Sequence, residues 1–401
     1  MSSTLPPLQP SKNRGGRTTV LHIAPDVEAG DPGRETVDLA VLTQRSGWRA
    51  VIASSGGRLA QEAERAAVLH KRAPLDRGGR LGNWRSRMHL ESVMQAERPA
   101  VIHAHGIDMV GFALEIGRGH GLPLVADLTQ PLTDTPRHKE ILDQIKCMRA
   151  MIRVPSYFMG DHLGDVFGVG EDRLRLVPPG VDLQCFSVGF ISPERLQNLS
   201  RLWRLPENAS VILAPIPLES EMGHRTLLEA LREMRDDPVY AVIVGRERRV
   251  SALRAEIEGL ISELGLSGKV IMPDDCPDFP AACWLSSVVV APNLVPRGQN
   301  LELLAAQAVG RPVIASDVGA NREMARSGET AWVVKPGDVP ALVAALREAV
   351  GFGTEQRVGL AQATHDFVAA SFPQRAWFDG MMDIYQTLIH PSRVTMKAEA
   401  G

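Results

Sequence analysis

Residues 296–338 read PRGQNLELLAAQAVGRPVIASDVGANREMARSGETAWVVKPGD, and this run decides the fold. Its second half changes structure every few residues. A helix is expected over 301–308, ended by Gly310 as a C-cap, then a buried strand over 312–316, a glycine turn, another helix and another strand. Apolar strands separated by helices are the building units of a parallel sheet.

The same rhythm extends along the whole chain. Short apolar strands are expected at 19–23, 50–53, 100–104, 124–126, 151–154 and 174–177. They recur at 211–214, 241–244, 270–272, 288–291, 313–315 and 331–334, with amphipathic segments between them. This order means α/β architecture, with two Rossmann-like doubly wound domains built on parallel sheets. The break between them is expected near VPPGVDLQCF (177–186), where Pro178, Pro179 and Gly180 interrupt regular structure. The expected layout is a disordered tail at 1–17, a first domain at 18–183, a second at 184–372, a helix at 373–391 and a second disordered tail at 392–401. In the last helical stretch, 374–389, Trp377, Phe378, Met381, Ile384 and Tyr385 recur at helical spacing.

Composition narrows the function classes. The 401 residues are 44% hydrophobic and 23% charged with a net charge of −3, which gives no electrostatic reason to expect a nucleic-acid partner. The four cysteines, Cys147, Cys185, Cys276 and Cys283, are scattered with no CxxC pair, against a zinc site or a disulfide framework and in keeping with a reducing cytoplasm. No apolar run approaches the roughly 18 residues of a spanning helix. The start, MSSTLPPLQPSKNRGGR, lacks the apolar core of a signal peptide.

The run at 296–338 resembles the sugar-nucleotide donor site of the family-4 glycosyltransferases of GT-B type. That family's pattern has an acidic residue, seven others, a second acidic residue, a small-residue helix, then G-R/K-P-V-I-A-S-D-x-G-G and a late G-E-T/N-G. Here Gly310, Arg311, Pro312, Val313, Ser316, Asp317, Gly319, Glu323, Gly328, Glu329 and Gly337 match. VLHIAPDVEAGDPGRETVDLA (20–40), RPAVIHAHG (98–106) and the linker resemble the family in the same order. The resemblance implies a GT-B fold with two domains facing a cleft and the C-terminal helix crossing back to the first domain. It also implies retaining transfer from a nucleotide-sugar, without a cofactor, to a glycan or lipid-linked acceptor in surface-polysaccharide synthesis.

The residues that carry the family's chemistry have changed. Counting back from Gly310, its two acidic positions fall on Arg297 and Ala305, with Glu302 on nearly the same helix face as a candidate substitute. A diphosphate is held by helix N-terminal N–H groups and cationic side chains. Relatives supply the cations from G-R-x-x-x-x-K-G. In the matching IPLESEMGH (216–224), with Gly223 as anchor, those positions are Pro217 and Met222, while Glu219 and Glu221 add negative charge. Two lost charge-assisted bonds at about 1.5–3 kcal/mol each weaken donor binding roughly 10²- to 10⁴-fold.

In the first domain the resemblance puts a histidine near Thr129. Asp127 is a candidate base there, against the plainer reading of a turn former. The turn EAGDPGRE keeps Gly30 and Gly33 as candidate donor-binding positions, but Pro32 removes an N–H from any phosphate cradle. His103 and His105 are read as facing opposite sides of the sheet, with His105 the residue most like a surviving catalytic group. No metal constellation is expected, since these histidines lack partners at ligand spacing. The basic stretch HKRAPLDRGGRLGNWRSR (70–87) carries Trp84 and is a candidate for peripheral contact with anionic lipid at the inner face of a membrane, or a solvated helix face. Two function classes follow: a glycosyltransferase with altered site groups, or a member that has lost catalysis and serves as a binding or assembly partner. With five expected groups absent, activity is expected to be weak or lost, and nucleotide-sugar binding weak or none.

Overall fold

The computed structural model describes residues 16–28, 30, 32–75, 80–207, 209–245, 252–274 and 276–390, without the side chains of 80–83 and 354. The expected tails lie outside the described residues apart from Gly16 and Arg17, as do positions 76–79 of the basic stretch.

The first sheet contains β1 (Thr19–Ile23), β2 (Arg49–Ser54), β3 (Leu69–Arg72), β4 (Val101–His105), β5 (Leu124–Asp127), β6 (Ala150–Val154) and β7 (Leu174–Leu176). Their spatial order is β3-β2-β1-β4-β5-β6-β7, and every pairing is parallel. The second sheet contains β8 (Ser210–Pro215), β9 (Val239–Val244), β10 (Val270–Ile271), β11 (Val288–Ala291), β12 (Val313–Ser316) and β13 (Ala331–Val334). Its order is β10-β9-β8-β11-β12-β13, also parallel throughout. The chain forms two compact units, one of residues up to Pro178 and from Trp377 onward, the other Pro179–Ala376.

Helices covering both faces explain why the strands are near-continuous apolar runs. In the first sheet, Leu21, Ile23, Ile102, Ala104 and Leu124 face one core. Val20, Val101 and Val125 face the other, beneath Trp377, Met381, Tyr385 and Leu388 of the helix Gln374–Ile389. The second sheet repeats the division, with Ile212, Val288, Val290 and Ile314 on one side and Leu213, Val289, Val313 and Ala315 on the other.

The opening run folds as its pattern dictates. The helix Leu301–Ala308 is capped by Asn300, whose side chain accepts from the Leu303 N–H, and Gly310 follows it at φ 78°. One strand escaped the sequence reading. β3, Leu-His-Lys-Arg, sits at the sheet edge with no residue fully buried, so its polar side chains mask it as loop.

Candidate functional site

Each sheet reverses its strand order once, between β1 and β4 and between β8 and β11. Open α/β sheets bind ligands beyond the strand ends at such reversals. The two points are built from different material.

At the second reversal, β8 ends in Pro215 and β11 runs into Pro292 and Asn293. Between them lies a shallow hollow lined by Pro215, Ile216, Pro217, Met222, Ala291, Pro292, Asn293, Arg297 and Asn300. Pro217, Met222 and Arg297, far apart in sequence, therefore share one wall. Two glycines permit this convergence. A Cβ on Gly223 would lie 1.9 Å from the Pro292 carbonyl oxygen, and one on Gly319 would lie 2.4 Å from that of Arg297. Only glycine fits either approach.

The floor is an amide ladder. Asn300 Nδ2 donates to Asn321 Oδ1 at 3.3 Å, and Asn321 Nδ2 donates to Asn293 Oδ1 at 3.3 Å and to the Ser316 carbonyl at 2.8 Å. Asn293 Nδ2 in turn donates to the Val295 carbonyl at 2.8 Å. These bonds fix the asparagines in one arrangement. Sequence reasoning missed the ladder. Asn300 alone carried a signal, as the small polar residue opening a helix.

Among the described residues, Arg297 is the one charged residue in the lining, and no carboxylate borders the hollow. Met222 is only 6% exposed and packs into the core cluster behind the wall. Glu219 and Glu221 are exposed and outside the lining. Glu302 is outside it too, and its charge is felt instead by the buried Cys283 thiol, which burial first and then Cys276 and Glu302 push upward. Ala305 is buried within its helix, and Glu323 is half-buried in the short helix Asn321–Met324. Next to the hollow, His224 opens the helix His224–Glu233 and is 6% exposed. Burial lowers its imidazole to about 4, against a backbone hydrogen bond with Ile216 that raises it.

The first reversal is filled rather than open. His22 on β1 pairs in register with His103 on β4, and His105 lies two residues further on. Residues two apart on a strand share a face, so the expectation that His103 and His105 oppose each other is corrected. Their ring centroids are 4.1 Å apart and stacked. The expectation that they lack partners at ligand spacing is corrected too, since His22 joins them, with its Nδ1 3.2 Å from His105 Nε2.

Asp127, at the end of β5, lies beside this cluster. Its Oδ2 is 3.4 Å from His103 Nε2 and 3.5 Å from His105 Nδ1, while Oδ1 accepts from Arg153 Nη1 at 3.0 Å. Arg153 is fully buried, reaches Glu35 at 2.9 Å and donates to the Val177 carbonyl at 2.8 Å. Burial alone would raise the Asp127 carboxyl, but the Arg153 charge and the two histidines beside it hold it well below the usual carboxylate range. Asp127 is thus neither helix cap nor turn former but the counterion of a buried guanidinium. Burial, then the neighbouring His105, lowers His103 to about 4, with Asp127 opposing. Burial, then His103 and His105, lowers His22 as well. His105 and Asp127 are each 2% exposed and Thr129 7%, so none offers a free face to a ligand within this unit. Gly30 is exposed, while Gly33 opens the helix Gly33–Arg45, where a Cβ would lie 2.3 Å from the Glu28 carbonyl oxygen.

Two family models match the chain in tandem: glycosyltransferase family 4 over residues 33–184 and glycosyl transferases group 1 over 210–351. D-inositol 3-phosphate glycosyltransferase 1 from Catenulispora acidiphila is 28% identical over 319 residues, 73% of each chain. A glycosyltransferase from Rickettsia africae superposes with a TM-score of 0.81 at 20% identity, over 94% of this chain and 100% of that one. Anabaena HepE in complex with UDP and glucose gives 0.78 at 18%, over 92% and 99%. These likenesses establish the fold, and the paired family matches reach most of both sheets. The chain belongs to glycosyltransferase family 4 and has the GT-B fold.

Proposed function

We propose that this chain takes a nucleotide-sugar at the hollow between β8 and β11, and that its capacity to transfer the sugar is weak or lost. The observation that carries this is the wall itself. Pro217 and Met222 stand where the family resemblance puts an arginine and a lysine, and Arg297 is the lone charge that the described residues leave in the lining. Arg297 and Ala305 occupy the two positions of the expected acidic pair, so no carboxylate meets the sugar or the ribose hydroxyls. The donor class is supported by Anabaena HepE, crystallised with UDP-glucose. In this reading residues 18–183 form the acceptor side, 184–372 the donor side, and 373–391 the returning helix.

Acceptor chemistry is that of a glycan or a lipid-linked saccharide. Contact with an anionic membrane is supported by the helix Arg80–Glu97, which exposes Trp84 at 60% and Met88 at 53% beside the exposed Arg85 and Arg87. Among the described residues no helix is long and apolar enough to cross a membrane. Cosedimentation with anionic vesicles, lost in Arg85→Glu/Arg87→Glu and in raised salt, is the check on this contact.

A second reading, a binding or assembly partner without catalysis, is favoured by the burial of His105, Asp127 and Thr129. Calorimetry with UDP- and GDP-sugars, run beside a product assay, separates the readings. The expected result is a Kd of about 1 mM or weaker with little or no transfer. Micromolar binding with steady turnover overturns the proposal; no binding at all leaves only the assembly role.

A further inference from the structure

The histidine cluster of the first unit belongs to neither reading. β1 and β4 are neighbours in parallel register, so His22 and His103 stand side by side and His105 follows on the same face. One ring nitrogen of each lies within 4.8 Å of the other two, the one such group of histidine, cysteine or acidic side chains among the described residues. All three imidazoles are buried.

The ring nitrogens point to a missing partner. His103 Nδ1 lies 2.7 Å from the Tyr385 hydroxyl, which leaves Nε2 as its available nitrogen. That Nε2 is buried without a hydrogen bond, the Asp127 carboxylate at 3.4 Å being outside hydrogen-bonding geometry. His105 turns Nδ1 toward Asp127 and Nε2 toward His22 Nδ1 at 3.2 Å. Two nitrogens bonded to one tetrahedral zinc at about 2.05 Å are about 3.3 Å apart. The His22–His105 separation already matches, and the stacked His103 and His105 rings must turn and close from within 4.8 Å to complete the set. Outer partners that hold ligating histidines are present as well: Tyr385 behind His103, Asp127 behind His105. The surrounding charges are Asp127 and Glu35 against Arg153, an excess of one negative charge, which favours a cation.

We propose that His22, His103 and His105 together ligate one divalent transition-metal ion of the zinc class inside the first unit, with one solvent oxygen as the fourth ligand of a tetrahedral set. Three neutral imidazoles with no ligating carboxylate select zinc, cobalt or nickel over magnesium or calcium. Because the cluster is buried, the ion ties β1 to β4 and, through Tyr385, to the helix Gln374–Ile389, and does not meet the substrate.

The test uses the full-length protein purified without chelator. Elemental analysis should find about one zinc per chain. After chelator treatment, titration with Co(II) should give the visible d–d absorption of a tetrahedral site, saturating at one equivalent, and Zn(II) should displace it. His22→Gln and His105→Gln should each lower Co(II) affinity at least tenfold, while the exposed His89→Gln leaves it unchanged. Metal-free wild-type protein that shows no tetrahedral Co(II) band overturns the proposal, whether or not the variants fold. A band that persists undiminished in both cluster variants overturns it equally. Neither outcome bears on the nucleotide hollow, which lies in the other unit.

Discussion

The two sheets share one topology, yet their reversal points have opposite character. Between β1 and β4 the chain packs three histidines, Asp127, Arg153 and Glu35 into a buried network. Between β8 and β11 it leaves an open hollow whose walls are prolines and a methionine over an asparagine floor. The fold supplies the location in both cases, and side chains decide whether it is filled or left for a ligand. The hollow is shaped by the close approaches at Gly223 and Gly319, and among the described residues Arg297 is the one charge in its lining.

The sharpest way to break this contrast is to remove the buried guanidinium. Arg153→Met leaves Asp127 and Glu35 ionised without their cation in a buried interior, which costs about 3–5 kcal/mol. Urea denaturation should show the loss, and Arg153→Met/Asp127→Asn/Glu35→Gln should recover most of it. If the single variant loses less than about 1 kcal/mol, the first reversal is wetter and more plastic than its burial indicates.

The second unit has its own buried titratable group. His224 is lowered to about 4 from an ordinary 6.5, so the unfolded chain binds its proton first. Stability is full above pH 6.5 and falls as pH drops toward about 4, by about 3 kcal/mol at most. His224→Gln should flatten that part of the pH dependence when urea midpoints at pH 7.5 and pH 5 are compared. An equal acid loss in the variant assigns it to other groups.

Much of the fold was legible because its strands are apolar runs bounded by glycine and proline; the helices Leu301–Ala308 and Gln374–Ile389 could be read residue for residue. β3 was not legible, since an edge strand carrying His70, Lys71 and Arg72 has no apolar signature. The histidine cluster was hidden for a different reason. Its members were visible, but seeing them meet requires knowing that β1 lies beside β4. Tyr385, a partner 282 residues from His103, is supplied by the last helix. The hollow was half legible: Pro217, Met222 and Arg297 could be located by resemblance, whereas Asn293 and Asn321 meet Asn300 only through tertiary contacts.

Restoring one charge sharpens the comparison from the other side. Pro217 is half-buried in the hollow's wall, so Pro217→Arg can present a guanidinium without displacing core, unlike Met222→Lys. A single charge-assisted bond to a diphosphate adds about 1.5–3 kcal/mol, or roughly a 10- to 100-fold tighter Kd for UDP-glucose by calorimetry. No gain in a variant with native circular dichroism means that the loop path has changed along with the charge.

The smallest effect is expected at Arg297. Its backbone is fixed, because the Ala320 N–H donates to its carbonyl at 2.9 Å and Gly319 packs directly against it. Its side chain is half-buried on the hollow's wall, where the described residues put no carboxylate in the lining to pair with it. Arg297→Gln should therefore change stability by no more than about 0.5 kcal/mol, in contrast to Arg153 in the first unit. Any residual affinity for a nucleoside diphosphate should fall, because the lining's lone charge is gone. The two readouts divide the possibilities cleanly. A stability loss above about 1 kcal/mol would show Arg297 acting as scaffold like Arg153, and the hollow's remaining charge would then be structural rather than poised for a phosphate.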